Sequence, residues 1–171
     1  MPGEPLTLRR LVPEDEDEFR RAHRAMAGDG FLFGLGYDAG MPFGDYVQLL
    51  ARREQGEDLP AHFVPNTFLV AEAGGVIVGR SSIRHRLTER LLVEGGHIGY
   101  GVLPEHRRRG YATEILRQSL GIVAGLGVER VLVTCDDDNV GSATVIERCG
   151  GVLAEVGTGH DGQALRRYWI G

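Results

Sequence analysis

The chain has 171 residues, a length that suits one domain with a substantial core, and a single domain over residues 1–171 is expected. Its 42% hydrophobic and 25% charged content is that of a folded globular protein and excludes disorder as the main state. A formal net charge of −5 speaks against general nucleic-acid binding, and no apolar run approaches the roughly 20 residues that span a bilayer.

All 19 basic residues are arginine, so chemistry that needs a lysine nucleophile is excluded. The stretch "MPGEPLTLRRLVPEDEDEF" lacks the apolar core of a secretory signal. The two cysteines, Cys135 and Cys149, make neither a CxxC pair nor a disulfide framework. A cytoplasmic protein that acts without a metal, nucleic acid or membrane is expected.

"LTLRRL" (6–11) alternates like a half-buried strand. Pro13 then opens a helix whose acidic first turn, "EDEDE", complements the helix dipole. Phe19, Ala22, His23 and Met26 follow at helical spacing. Residues 28–44 are rich in glycine and aromatics without a period, the mark of a long functional loop. A second helix is expected from Asp45 to about Gln55.

Residues 67–73 and 76–87 read as two strands around the turn Gly74-Gly75. Arg80, Ser82, Arg84 and Arg86 share one face of the second strand, because strand side chains alternate. A solvated face is the expectation for these arginines, an electropositive wall for an anionic acceptor the alternative. "HIGYGVL" (97–103) reads as a strand, 111–127 as a helix and 128–136 as a buried strand. Ala112, Leu116, Leu120 and Val123 stripe that helix. A helix over about 140–148 and strands near 152–156 and 164–170 close the chain. The order is mixed α/β with one strand–helix–strand crossover between residues 97 and 135.

An acidic chain concentrates positive charge at one place, "GVLPEHRRRGYATEIL" (101–116), a strand-to-helix junction. A helix start offers unpaired backbone N–H groups and partial positive charge to phosphates. Gly110 allows close approach and Ala112 keeps the first turn narrow. Arg107, Arg108 and Arg109 add attraction and forked hydrogen bonds, which suits a pyrophosphate better than a duplex backbone.

"Arg107-Arg108-Arg109-Gly110-Tyr111-Ala112" fits the pattern Arg/Gln-x-x-Gly-x-Gly/Ala, after a strand ending "GYGVLP" and before strand "VLVTCD" and Asn139-x-x-Ser142. "EVGTGH" and "LRRYWI" fit two closing strands. On these residues the chain resembles the GNAT superfamily of N-acetyltransferases, most strongly over residues 95–151, and within it a little-characterised branch. The resemblance implies an α/β fold of the α+β type: a central mixed, mostly antiparallel sheet of about six or seven strands flanked by about four helices.

It further implies acetyl-CoA as co-substrate and direct transfer to a primary amine of a small molecule, amino acid or peptide. Arg107, Arg108, Arg109, Gly110, Tyr111, Ala112 and Thr113 would wrap its pyrophosphate. Val102 and Leu103 would meet the pantetheine arm through their backbone, with Gly99 and Gly101 permitting a local bulge that splays the strand. Asn139 and Ser142 would touch the arm from the other side, a helix cap being the alternative for Asn139.

The chain departs from the family at two positions: His97 stands for the usual glutamate and Ile146 for the usual tyrosine. His97 is the expected general base, a backbone-bonded strand histidine its alternative. His85, or Glu94 through a water, is the reserve. The acid is open among Tyr100, Tyr111, Tyr168 and solvent. Asp136, Asp137 and Asp138 read as a solvated turn. The departures also raise the alternative of a module that binds acetyl-CoA without turnover, and many family members dimerise.

Overall fold

The computed structural model describes residues 4–171; the first three residues of the stretch read for a leader lie outside them. Pro13–Asp15 forms a single 3-10 turn that leads into α1 (Glu16–Ala27), whose Phe19, Ala22 and Met26 are buried. The acidic run is thus a helix start, and Asp15 does more: its two oxygens take the Arg9 guanidinium at 2.8 Å each. That ties α1 to β1 (Leu6–Arg9). Helix α2 (Phe43–Glu54) starts two residues earlier than expected, with Phe43 buried.

Strands β2 (Asn66–Ala73) and β3 (Val76–Arg84) meet at Gly74 and Gly75, whose φ values of +59° and +76° make the left-handed pair a tight hairpin needs. A short helix α3 (Glu89–Val93), capped by Thr88, follows. Five residues are too few to show a helical period, so this helix is not legible in the sequence. Next come β4 (Ile98–Val102), α4 (Tyr111–Gly125), β5 (Val131–Asp136), α5 (Val140–Arg148), β6 (Val152–Thr158) and β7 (Ala164–Ile170).

The seven strands form two antiparallel sheets, β1-β2-β3-β4 and β5-β7-β6. The β3–β4 register runs unbroken from Gly79↔Val102 to Ile83↔Ile98, so the expected bulge at Gly99 and Gly101 is absent there. The splay lies instead between β4 and β5, at the join of the two sheets. These strands meet where His97 N–H bonds the Leu132 carbonyl at 2.8 Å. Gly96 makes this meeting possible: its φ is +59°, and a Cβ there would come within 2.4 Å of the Leu132 oxygen. Beyond that point the strands part and leave a cleft.

Two apolar cores flank the cleft. Phe19, Phe33, Phe43 and Tyr46 pack the long loop and α1–α2 against the first sheet. Leu116, Val133, Ile146 and Tyr168 join α4 and α5 to both sheets, with Ile83 and Ile98 of the first in the same cluster. Among the described residues, no helix is long and apolar enough to cross a membrane.

The arginine face of β3 corrects the sequence expectation. Arg80 is only 5% exposed, because the loop after α1 covers it, and Arg84 is half-buried with its guanidinium on the Gly95 and Gly96 carbonyls; only Arg86, past the strand end, is exposed.

Candidate active site

The basic segment folds as a turn between β4 and α4, with a single 3-10 turn at Pro104–His106. Leu103 anchors its start, fully buried, with its N–H on the Val78 carbonyl at 2.8 Å. Arg107 turns back onto the protein, its Nε on the Val102 carbonyl at 3.1 Å and its Nη2 on Asp29 Oδ2 at 2.7 Å. Arg108 and Gly110 adopt left-handed backbones, φ +63° and +83°. Such residues gather backbone N–H groups into anion-binding concavities. No side chain caps α4, whose first internal bond is Glu114 N–H to the Gly110 carbonyl at 3.2 Å. The N–H groups of Tyr111, Ala112 and Thr113 therefore precede the helical ladder and are free for a ligand. A Cβ on Gly110 would meet nothing within 4 Å, so the mouth of the cradle is clear.

From the cradle a groove of about 910 Å³ runs along the parting of β4 and β5. Val102, Arg107, Arg108, Gly110, Tyr111, Ala112 and Thr113 line one wall, Asn139 and Ser142 the other. Leu103 and Arg109 are not among its lining residues: the first is in the core, the second is exposed with Nη2 on the Glu105 carbonyl at 3.3 Å. Asn139 does cap α5, its Oδ1 accepting the Ser142 N–H at 3.0 Å, and it lines the groove as well.

A second cavity of about 280 Å³ continues past Tyr100, which together with Phe31, Asn139 and Ser142 lines both spaces. The Tyr100 hydroxyl and Ser142 Oγ are hydrogen-bonded at 2.9 Å. Burial raises the Tyr100 phenol well above its ordinary range, so it stays protonated at neutral pH. Arg80, Arg84, Glu94, Thr134, Cys135 and Asp136 line the far end. Burial raises the Asp136 carboxyl, and the charges of Asp138, Asp161 and Glu94 raise it further. Burial, then the neighbouring Arg84, pushes Arg80 down to about 9.

His97 lies outside both spaces. It is 5% exposed, and its Nδ1 accepts the Leu132 N–H at 2.9 Å. A neutral imidazole that accepts at Nδ1 carries its proton on Nε2 and has no free lone pair to take another. The side chain closes the β4–β5 junction, so the backbone-bonded alternative describes its position. His85 also stands apart, with Nε2 on Thr67 Oγ1 at 2.8 Å. Tyr168 is buried on Glu147, and Tyr111 reaches only the groove, which leaves Tyr100 as the tyrosine at the junction of the two spaces. Of the acidic turn, Asp137 pairs with Arg166 at 2.7 Å while Asp136 faces the cavity.

Sequence reasoning read Asp136 into a solvated turn, weighed Arg80 only as the alternative wall for an anionic acceptor, and met Phe31 only as part of the long functional loop. For Asp136 a signal existed: it ends the strand that follows the crossover helix, and open α/β sheets bind ligands at such strand ends. For Phe31 and Arg80 the signals, an aromatic loop and an arginine face, were only partial, because their placement depends on how the long loop folds back.

A family model for the acetyltransferase (GNAT) domain matches residues 6–152. The class defined by the split sheet, the cradle and the cleft is therefore that of the acetyltransferases. The chain belongs to the GNAT family. Solved structures share the fold. RimJ of Mycobacterium smegmatis, in complex with CoA-disulfide, has a TM-score of 0.72 at 19% identity, over 99% of this chain and 83% of its own. An acetyltransferase from Agrobacterium tumefaciens has a TM-score of 0.62 at 26% identity, over 98% and 92%. YncA of Salmonella typhimurium, with its cofactor acetyl-CoA, has a TM-score of 0.62 at 15% identity, over 96% and 92%. Among curated proteins no sequence match is found.

Proposed function

We propose that this acetyltransferase uses acetyl-CoA and transfers its acetyl group to a primary amine of a small molecule, amino acid or peptide, by direct attack in a ternary complex. The observation that carries the reading is the continuity of the cleft through Tyr100, with an anion cradle at one end and a small polar cavity at the other.

The donor fits the residues present. Arg108, Gly110 and the first turn of α4 would hold the pyrophosphate with backbone N–H groups, and Val102, Asn139 and Ser142 would flank the arm. The thioester then lies near Tyr100. The acceptor enters the smaller cavity and must shed a proton before its nitrogen can attack. Asp136, a carboxylate made more basic by burial and by its acidic neighbours, takes that proton directly or through Glu94 and a water. As the C–N bond forms and the C–S bond breaks, the Tyr100 hydroxyl protonates the departing sulfur. Ser142 Oγ, 2.9 Å away, orients that hydroxyl. Tyr100 thus supplies what buried Ile146 cannot, and this weighs against a module that only binds.

The test is a turnover screen with acetyl-CoA against amino acids, polyamines, aminoglycosides and peptides, read as free CoA thiol. Amine-dependent thiol release is the expected result.

A further inference from the structure

Arg80 and Arg84 lie two residues apart on one face of β3, and both line the cavity beyond Tyr100. Among the described residues, neither bonds a carboxylate. Arg80 is fully engaged with backbone, donating to the carbonyls of Leu32 at 2.7 Å and of Phe33 and Gly99 at 3.1 Å. It fastens the long loop over the sheet and stacks on Phe31, 4.4 Å from the ring centre. Arg84 is different. Only its Nη1 is used, on the carbonyls of Gly95 at 2.9 Å and Gly96 at 3.1 Å. Its Nε and Nη2 have no protein partner among the described residues. Nη2 lies beside Gly99, 3.9 Å from where a Cβ would stand, so the missing side chain leaves the guanidinium open to the cavity.

A buried cation without a counter-charge is costly, and two adjacent ones more so. Among the described residues, the carboxylates that line this cavity are those of Glu94 and Asp136. Glu94 Oε2 accepts the His160 N–H at 2.7 Å. The cavity therefore holds charge of both signs, a free guanidinium fork and two carboxylates. A guanidinium fork matches a carboxylate in shape and charge. The two wall carboxylates would repel a phosphate dianion more than a monoanion. At about 280 Å³ the space is at the small end for a ligand site.

Resting on the acetyltransferase reading, we infer that the acceptor is a small amino-carboxylate, with its carboxylate on Arg84 and its amine directed to Asp136 and Glu94. Arg80 contributes field rather than contact, since its nitrogens are committed.

The test uses the intact protein and matched acceptor pairs: the amino acids against their amides, glycylglycine against its amide, and spermidine as a cationic arm. Acetyl-CoA binding is measured separately by calorimetry. The expected result is a preference for the free carboxylate of at least about tenfold in kcat/KM, the scale of one charge-assisted forked contact. Preference for free amino acids over glycylglycine assigns a single amino acid, and the reverse assigns a peptide end. In Arg84→Gln the KM of the preferred acceptor rises while the Kd of acetyl-CoA does not. The wild-type pairs decide the matter even if that variant fails to fold. Equal use of acid and amide, preference for spermidine, or no turnover of any carboxylate-bearing amine with acetyl-CoA bound overturns the inference alone. Absence of acetyl-CoA binding overturns the reading beneath it.

Discussion

His97 grips Leu132 at two points: its N–H donates to the Leu132 carbonyl at 2.8 Å, and its imidazole Nδ1 accepts the Leu132 N–H at 2.9 Å. Its own carbonyl accepts the Arg84 N–H at 2.7 Å, so one residue binds β3, β4 and β5 together at the apex of the cleft. The two sheets are joined there and part beyond it. His97 thus sets the geometry of the cleft without facing it.

Replacing His97 by alanine leaves a buried Leu132 N–H unpaired, and a loss of about 1–3 kcal/mol of stability is expected. Thermal melts at several pH values check this. Burial, then the nearby Arg84 charge, holds the imidazole below its ordinary 6.5, so the unfolded chain binds the proton more readily. The clamp's contribution is therefore complete above that pH and declines as pH falls below it. A His97→Ala protein that melts like wild type yet has lost its activity would restore the general-base role.

Tyr100→Phe removes the hydroxyl at the junction of groove and cavity. A fall in kcat of about 100-fold is expected, the lower end for a positioned acid, with the Kd of acetyl-CoA unchanged. Ser142→Ala, which frees that hydroxyl to turn but leaves it in place, should cost less in kcat. Steady-state kinetics beside calorimetry separates the two effects, and equal kcat in Tyr100→Phe and wild type would remove the tyrosine from the chemistry.

Asp136 is raised by burial and by Asp138, Asp161 and Glu94, so its base form is lost on acidification earlier than an ordinary carboxylate's. The acid limb of the kcat/KM profile should lie above the usual carboxylate range. Asp138→Asn and Asp161→Asn, which remove like charge, should each move it to lower pH. Asp136→Asn should abolish the limb together with most of the rate. A limb unmoved by either neighbouring substitution assigns the base elsewhere.

Much of the fold was legible because its elements carry strong local signals. The Gly74-Gly75 hairpin, the acidic start of α1 and the apolar stripe of α4 all follow from local chemistry. The strand-to-helix junction at Gly110 was legible for the same reason, since glycine tolerates the left-handed turn the chain makes there. What was hidden depends on tertiary closure. Arg80 and Arg84 read as a solvated face because alternation says which residues share a side, not what covers it: a loop without a period covers Arg80, and Arg84 is held by the turn after α3. His97 read as a base because its type suits one, whereas its role is fixed by Leu132, 35 residues away in the chain.

The central claim is that the cradle at Arg107–Thr113 opens a groove for acetyl-CoA. Calorimetric titration of acetyl-CoA into wild type and Gly110→Ala tests it most directly. Wild type should bind at one saturable site. Alanine disfavours the φ of +83° by about 1–2 kcal/mol, so affinity in the variant should fall about tenfold. No heat of binding to wild type at about 1 mM acetyl-CoA, or identical affinity in the two proteins, would contradict the account.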